Sequence, residues 1–200
     1  DKYLANMKKA KIVTKKKAVV IGAGPAGVAI SFFLRRNGME VTVLEKRDRP
    51  YGIVEYIIPE FRISSEMINK DYQLAVNAGV NFVYNVNENY NVEELKKEYD
   101  FVVVATGAWK EGIIPVKEGG ENLRDALEFL EDAKKNDINI SLGKKVAVLG
   151  GGDVAMDCSR TAKRAPGVES VSIVYRRTRE FMPAEPEEKE QALGDGVIFQ

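Results

Sequence analysis

The sequence predicts an α/β fold made of two similar units, each with a parallel sheet. Short apolar runs alternate along the chain with segments of helical spacing, which is the pattern of strands and crossover helices in parallel sheets. In addition, the stretch KKAVVIGAGPAGVAI near the start returns 128 residues later as KKVAVLGGGDVAMDC. A strand-turn-helix pattern that occurs twice at this separation indicates two units rather than one.

The composition limits the chemistry that the chain can perform by itself. Its 200 residues are 44% hydrophobic and 30% charged, which suits one large or two small globular domains. The 30 basic and 30 acidic residues balance, and no long apolar run occurs, so we expect neither a nucleic-acid partner nor a membrane span. Histidine is absent and Cys158 is the only cysteine, which removes Ser-His and Cys-His pairs, most zinc sites and internal disulfides. We therefore expect a cytoplasmic protein without catalytic side chains or metal ligands of its own, whose chemistry comes from a bound cofactor.

The first unit begins with the apolar run KKAVVI, typical of a strand buried on both faces, which stops at Gly22. Gly22, Gly24 and Gly27 then form a G-x-G-x-x-G series, followed by a helical segment that ends at Gly38. In such a turn the first glycine permits the bend, the second lets a pyrophosphate approach the backbone, and the third lets helix and strand pack closely. The N-terminus of the helix faces the phosphate charge.

The next strand, MEVTVLE, closes on Glu45, 18 residues beyond Gly27. A carboxylate at this position accepts hydrogen bonds from the two hydroxyls of a ribose. A glycine series alone is weak evidence, and a glycine-rich turn in an unrelated α/β protein remains the alternative. The combination of strand, turn, helix, strand and acid favours a Rossmann-like unit that binds a dinucleotide.

The remainder of the first unit continues the alternation of helix and strand. Residues 46–63 are predicted to be a loop, because Pro50 and Pro59 interrupt any helix. A helix that begins near Ser64 is followed by the strand VNFVYN, a charged helix near NVEELKKEY and the strand DFVVVATGA. Gly107 is expected where the chain leaves the sheet beside the nucleotide, and Trp109 either borders the nicotinamide or is an ordinary aromatic residue at the rim.

The second unit can be aligned with the first one position by position. Gly150 and Gly152 match the first two glycines, and Ala155 takes the third position, which tolerates alanine. Two extra residues in the following loop bring VSIVYRR against VTVLEKR, so that Tyr175 stands where the first unit has its acid.

Two arginines, Arg176 and Arg177, follow this tyrosine. A carboxylate would repel a ribose 2′-phosphate, whereas a guanidinium can bind one with two charge-assisted hydrogen bonds. The second site is therefore predicted to bind NADP(H) and the first a nucleotide with a free ribose diol. A solvated basic rim that includes Arg179 is the alternative. Because flavin and nicotinamide are the natural redox pair, we assign FAD to the first unit.

These assignments divide the chain into four segments. Residues 1–16 are predicted to be a basic linker, 17–110 the FAD-binding unit, 111–143 a crossover segment and 144–200 the NADP-binding unit. The final stretch, GVIFQ, corresponds only to the third strand of the second unit. We therefore expect both units to be incomplete and the chain to be a fragment of a longer reductase, inactive or weakly active by itself.

The order of short motifs along the chain resembles a known family. The motifs are GAGPAG, EKR, IPEFR, VVVATGA, DALEFL, GGGDVAMDC, VYRR and MPA. From about Lys16 to Gln200 they are similar, in sequence and in order, to the NADPH-dependent flavoprotein core of the glutamate synthase small subunit. The same core recurs in dihydropyrimidine dehydrogenase, in NADH-dependent ferredoxin transhydrogenases and in selenate reductase-like iron-sulfur subunits.

The resemblance implies roles for individual residues. The residues expected to line the FAD pyrophosphate are Gly22, Gly24, Pro25, Ala26 and Gly27. The residues expected at the adenosine of FAD are Glu45, Lys46, Arg47 and Val86. The residues expected elsewhere along FAD are Gly52, Ile58, Pro59, Arg62, Thr106 and Gly107. The residues expected at NADPH are Gly150, Gly152, Asp153 and Val154 for the pyrophosphate, and Arg176 and Arg177 for the 2′-phosphate.

The resemblance further implies hydride transfer from NADPH to FAD, with electrons passed to iron-sulfur clusters outside this chain, in another domain or an electron-accepting subunit. The chain lacks the cysteine pair that disulfide reductases use, and Cys158 is expected to be a packing residue. Ile57 stands where the family usually has glycine, which would alter the backbone path beside FAD. The alternative from another class is a nucleotide-binding module that is redox-inert in isolation and acts as a scaffold or sensor.

Overall fold

The computed structural model describes residues 8–87, 89–110 and 117–200. Residues 1–7 of the predicted linker and 111–116 of the predicted crossover lie outside the described residues. The chain divides into two compact units. The first contains the residues up to Tyr56 together with Glu60–Trp109, and the second contains Ile57–Pro59 together with the residues from Lys110 onward.

The first unit is a four-stranded parallel sheet with helices in its crossovers. Its strands are β1 (Lys17–Ile21), β2 (Glu40–Leu44), β3 (Asn81–Val83) and β4 (Phe101–Val104), in the spatial order β3-β2-β1-β4. Its helices are α1 (Pro25–Arg36), α2 (Ile53–Tyr56), α3 (Ser65–Ala78) and α4 (Val92–Glu98). This strand order is that of one half of a Rossmann fold, as predicted. The loop predicted for residues 46–63 is wrong in one respect: the single turn α2 fits between the two prolines.

The core of the first unit combines the central strands with α1 and α3. Val19, Val20 and Val43 are completely buried, as the continuous apolar runs predicted. Burying each such side chain contributes about 1.5–3 kcal/mol. Ser64 caps α3 by accepting a hydrogen bond from the backbone N–H of Met67 at 3.3 Å. These contacts hold the carboxyl ends of β1 and β2 beside the first glycine turn.

The segment before β1 runs along the first unit rather than leaving it. The backbone N–H of Val13 donates to Gly38 O at 3.0 Å. Arg35, only 2% exposed, donates to the carbonyl oxygens of Gly79 at 3.0 Å and Met39 at 3.2 Å, and also to that of Ala10. The described part of the predicted linker is therefore held by a buried guanidinium.

The second unit has a three-stranded parallel sheet. Its strands are β5 (Lys145–Leu149), β6 (Ser170–Val174) and β7 (Ile198–Phe199), in the order β5-β6-β7. Its helices are α5 (Ala126–Lys135), α6 (Asp153–Arg164) and α7 (Pro186–Gly194), with single 3-10 turns at Gly120–Asn122 and Arg179–Phe181. The stretch GVIFQ therefore supplies the third strand, as predicted, and α5 lies in the predicted crossover segment.

An ion-pair cluster joins α6 to the end of α7. Asp195 accepts hydrogen bonds from Arg160 Nε at 2.8 Å and from both terminal nitrogens of Arg164, at 2.7 and 3.0 Å. Burial by itself raises the pKa of Asp195, but the hydrogen bonds from Arg164 and Arg160 outweigh it and hold the pKa below its usual value. Arg160 is 7% exposed and also bonds Gln191 on α7 at 2.6 Å. The cluster fixes the helix that follows the second glycine turn.

Candidate dinucleotide-binding sites

Packing explains two of the three glycines in the first turn. Gly22 has φ +101°, and a Cβ added to it would lie 2.5 Å from Ala105 O. A Cβ on Gly27 would lie only 1.9 Å from Gly22 O, because α1 begins directly against the end of β1. Neither position can hold a larger residue without movement of the backbone.

The middle glycine of this turn faces open space instead. A Cβ on Gly24 would meet only Ala105 O, at 4.0 Å. Gly24 is also the N-cap of α1, with Pro25 at the first helical position, and no described side chain caps this end. Pro25 and Ala26 are exposed beside it. The first turn thus presents uncapped backbone N–H groups and the positive end of the helix dipole to a space where a phosphate would fit.

Glu45 follows β2 and is 7% exposed. One carboxylate oxygen accepts a hydrogen bond from the backbone N–H of Ala23 at 2.7 Å, and the other accepts from Arg47 N–H at 2.9 Å. Each oxygen retains further lone pairs for a ribose hydroxyl. The side chain therefore also braces the glycine turn, a role that the sequence analysis did not predict.

Arg47 is stacked between two aromatic rings. Its guanidinium carbon lies 4.4 Å from the ring centroid of Tyr56 and 4.4 Å from that of Trp109. Burial, followed by a hydrogen bond to the Asp48 carboxylate, raises the pKa of Tyr56 to about 12, so its ring stays neutral beside the cation. The stack fixes the plane of the guanidinium at the end of β2.

Two of the other predicted glycines gather around this stack. A Cβ on Gly52 would lie 3.6 Å from Trp109 Cζ2 and 3.7 Å from Gly24 Cα. A Cβ on Gly107, whose φ is +73°, would lie 3.7 Å from Trp109 Nε1. The structure therefore places Gly52 and Gly107 against Trp109 and Gly52 beside Gly24 of the first turn, an arrangement that the sequence did not reveal.

The other predicted flavin residues are more dispersed. Ile58 and Pro59 belong by their contacts to the second compact unit, where Lys134 Nζ donates to Ile58 O at 2.7 Å. Ile57, which stands where the family usually has glycine, is 2% exposed. Its buried apolar side chain therefore anchors this segment in the interior. The remaining predicted residues lie in the first unit: Lys46, Arg62 and Thr106 are exposed, and Val86 N–H donates to Glu45 O at 3.2 Å.

The second glycine turn is similar to the first, but its first and third residues are less closely packed. Gly150 has φ +134°, and a Cβ on it would meet the Cβ of Ala155 at an ordinary 3.8 Å. A Cβ on Gly152 would meet no described atom within 4 Å, and no described side chain caps α6, which begins after Gly152. Val154 in the first turn of α6 is 47% exposed, and the Asp153 carboxylate accepts Glu185 N–H at 3.0 Å. A second open helix N-terminus is thus available for a phosphate.

The side chains beyond β6 differ from those beyond β2. Tyr175 lies against Gly151 of the second turn, and its hydroxyl donates to Phe181 O at 3.3 Å. Arg176 and Arg177 are exposed, and neither forms an ion pair within the described part of the chain. Cys158, on α6, is 5% exposed and packs in the interior.

Two features are absent from the part of the chain that the structure describes. Within residues 8–87, 89–110 and 117–200, no three His, Cys, Asp or Glu side chains come together as metal ligands. Among the helices that the structure describes, none combines the length and the apolar character needed to cross a membrane.

Each unit thus combines a parallel sheet with an open glycine turn, which is the arrangement of a Rossmann-like unit. The chain belongs to the pyridine nucleotide-disulphide oxidoreductase family, whose model matches residues 16–197. It is 42% identical over 188 residues to Putative oxidoreductase YgfK of Escherichia coli (strain K12), covering 94% of this chain and 18% of that protein. It is 40% identical over 194 residues to the NADPH glutamate synthase small chain of Azospirillum brasilense, covering 90% of this chain and 40% of that one.

A third relative is the NADPH-Fe(3+) oxidoreductase subunit beta of Geobacter sulfurreducens (strain DL-1 / KN400), 34% identical over 195 residues, covering 92% of this chain and 28% of that subunit. The chain thus spans less than half of the length of these relatives.

Two solved structures share the fold. A 2-naphthoyl-CoA reductase complex has a TM-score of 0.69 at 21% identity, covering 98% of this chain and 29% of the other. Lactococcus lactis thioredoxin reductase has a TM-score of 0.64 at 21% identity, covering 93% of this chain and 64% of the other.

Proposed function

We propose that the chain is the nucleotide-binding part of a flavin-dependent oxidoreductase in which NADPH delivers a hydride to FAD. One observation carries this proposal: the two turns are equivalent, and two basic residues follow the second strand in each unit, yet Glu45 precedes them after β2 and Tyr175 precedes them after β6. Turns of similar geometry, one with a carboxylate beside it and one without, suit two nucleotides that differ in charge at the ribose. The names of two relatives, which specify NADPH, support the redox assignment.

The first unit fits FAD at its glycine turn. The open position at Gly24 and the uncapped start of α1 would hold the diphosphate, and Glu45 would accept a ribose hydroxyl. Arg47, fixed in its stack, would add positive charge beside the adenosine ribose. Bound FAD would supply the hydride acceptor that protein side chains lack, while the chain orients it and excludes water.

The second unit fits NADPH in a parallel manner. Gly152 and the first turn of α6 would receive the diphosphate, and Arg176 and Arg177 would bind the 2′-phosphate. The chain has one cysteine and therefore no dithiol to take electrons onward. An iron-sulfur domain or a partner subunit in the cytoplasm is accordingly the acceptor that we propose.

Flavin binding can be tested on the 200-residue chain with FAD supplied at saturating concentration, and flavin reduction on a longer chain that completes both units, since the 200-residue chain is expected to oxidise little NADPH. Trp109 is the only tryptophan and lies beside Gly52 and Gly107, so its fluorescence should fall as FAD binds. Under anaerobic conditions, NADPH should then bleach the flavin absorbance faster than NADH does. Fluorescence that does not change in a saturable way would remove FAD from the first unit. Binding of both nucleotides without bleaching would favour the redox-inert scaffold.

The phosphate assignment has its own test. Replacing Arg176 or Arg177 with alanine should reduce the NADPH preference about tenfold in at least one variant, because a charge-assisted phosphate contact is lost. Added salt should weaken the same preference. Lys144→Ala removes an exposed charge, paired with Glu169, at the opposite end of the sheet and should leave the preference unchanged. Equal affinity of the parent chain for NADPH and NADH would rule out the assignment.

A further inference from the structure

Tyr51, in the loop after β2, has a backbone conformation that is unusual for an aromatic residue. Its φ is +71°, in the left-handed region that favours glycine, and Gly52 after it has φ +51°. A bulky residue keeps such a conformation only where the surrounding contacts impose it, and this happens most often at functional sites. The side chain is 7% exposed and belongs to the core of the first unit. The fold therefore holds Tyr51 in a conformation that the residue does not favour by itself.

Two hydrogen bonds fix Tyr51, one at each end of the residue. Its hydroxyl donates to the Asp71 carboxylate on α3, and its backbone N–H donates to Ala23 O at 2.6 Å. Burial, followed by the hydrogen bond to Asp71, raises the pKa of Tyr51, so the hydroxyl remains a donor at neutral pH. Tyr51 thus joins α3 to the first glycine turn.

The partner of its backbone, Ala23, lies in the middle of that turn and is completely buried. Both polar groups of its backbone are bound, because its N–H donates to the Glu45 carboxylate at 2.7 Å and its carbonyl oxygen accepts from Tyr51. Glu45 and Tyr51 therefore fix the path of the turn from both sides of Ala23, before any nucleotide binds.

The conformation of Tyr51 also sets the position of the residues that follow it. Gly52 O accepts the backbone N–H of Tyr56 at 2.9 Å, which starts α2 and places the Tyr56 ring against Arg47. A Cβ on Gly52 would lie 3.7 Å from Gly24 Cα, the open position of the turn. The loop that begins at Tyr51 is therefore one wall of the space in front of the turn.

We propose that Tyr51 is a positioning residue of the flavin site, a proposal that rests on the first unit being the FAD site. Its buried ring and its bond to Asp71 keep the backbone in the left-handed region, and this keeps Gly52 beside the glycine turn. Because the wall is in place before FAD arrives, binding does not have to order the loop. Neither the Tyr51 hydroxyl nor Asp71 is expected to contact FAD, so both act through the backbone.

The test compares Tyr51→Phe and Asp71→Asn with the parent 200-residue chain. FAD affinity is measured by titration, and the accessibility of Trp109 by acrylamide quenching without nucleotide, since Trp109 lies against Gly52. Tyr51→Phe keeps the ring and should weaken FAD binding about tenfold, the scale of one hydrogen bond to a charged group, with steeper quenching of Trp109. Asp71→Asn retains an acceptor and should lose less. The double variant should lose no more than Tyr51→Phe alone, because both changes break the same bond.

The matched control is Tyr72→Phe, on the same helix. It removes a hydroxyl that accepts from the Tyr84 hydroxyl at 2.9 Å. FAD affinity in this variant should stay within about twofold of the parent value, with unchanged quenching of Trp109. An equal loss in Tyr72→Phe and Tyr51→Phe would overturn the proposal, because the effect would then belong to α3 in general.

A Tyr51→Phe variant that is less stable but keeps the FAD affinity and the Trp109 quenching of the parent would also overturn the proposal, since its role would then be structural only. Asp71 is exposed, so its replacement tests the same bond in a chain whose core is intact. If the parent chain does not bind FAD, the proposed function fails. The quenching of Trp109 then still decides whether Tyr51 holds the loop.

Discussion

Gly27 and Ala155 hold the same position in the two glycine turns but leave different room for a side chain. A Cβ on Gly27 would approach Gly22 O to 1.9 Å, whereas the second turn holds a real Cβ, that of Ala155, at the same position. The first helix therefore starts closer to its strand than the second one does. The sequence alone showed that both residues are small, and only the structure shows that one of them must be glycine.

Exchanging these two residues should have unequal effects. Gly27→Ala should lower the free energy of unfolding by about 2–3 kcal/mol, the upper part of the range for overpacking, because an extra methyl group is forced against backbone. Ala155→Gly should cost about 1 kcal/mol, which is the difference in helix propensity. Urea unfolding of the two variants measures both values, and equal losses would contradict the difference in helix spacing.

Glu45 was predicted for its ribose role, and its hydrogen bonds to Ala23 and Arg47 give it a second role in the free protein. Glu45→Ala should therefore lower stability by about 1.5–3 kcal/mol even without nucleotide, the scale for hydrogen bonds to a charged group. Glu45→Gln retains one acceptor and should lose less. Thermal unfolding without FAD provides the measurement. A variant as stable as the parent would leave the ribose as the only role for this side chain.

At the scale of elements, the Asp195 cluster should determine how firmly α7 is held to α6. Asp195→Asn should lower the free energy of unfolding at pH 7 by about 1.5–3 kcal/mol, because two buried or half-buried guanidiniums lose a charged acceptor. Since the folded-state pKa is depressed, this stabilisation is present above the unfolded value of about 3.9 and is lost as the pH falls through the lower folded value.

The matched control is Asp132→Asn, which breaks the Arg124–Asp132 pair, whose two side chains are 45% and 42% exposed. An exposed pair contributes about 0–1 kcal/mol, so this variant should remain close to the parent. Urea titrations from pH 3 to 7 compare the two variants. If the difference in free energy of unfolding between Asp195→Asn and the parent does not become smaller at low pH, the carboxylate does not stabilise the fold as an anion.

The periodicity of apolar residues predicted the strands and the longer helices well, because burial on one or both faces of an element determines which of its positions are apolar. It missed α2, because a helix of only four residues, lying between Pro50 and Pro59, is too short to show a helical period. It also missed the stack of Arg47 between Tyr56 and Trp109. Trp109 is far from the other two residues in sequence, and only the tertiary fold brings it to them. The contacts of Met182 and Ala184 with Gly151 escaped for the same reason.

For the molecule as a whole, the first unit extends further toward the N-terminus than sequence patterns indicated. Arg35 is buried and bonds three backbone carbonyls, one of them that of Ala10. Arg35→Leu should lower the free energy of unfolding by at least about 2 kcal/mol, because buried carbonyls lose their donors. Arg36→Leu, at an exposed position on the same helix, should have little effect. Hydrogen exchange at Val13 should rise only in the first variant, and equal rates in both would contradict this role.

The spatial order of the first sheet has a practical consequence for handling the chain in solution. Strand β4 lies at the edge of the described sheet, with Phe101 and Val104 exposed by 47% and 65%. A bare edge with apolar side chains is a template for strands of neighbouring molecules, so concentrated samples should self-associate. Val104→Lys places a charge on that edge and should keep the protein monomeric at higher concentration, as light scattering can measure. Material that scatters equally with and without the lysine would show that aggregation starts elsewhere.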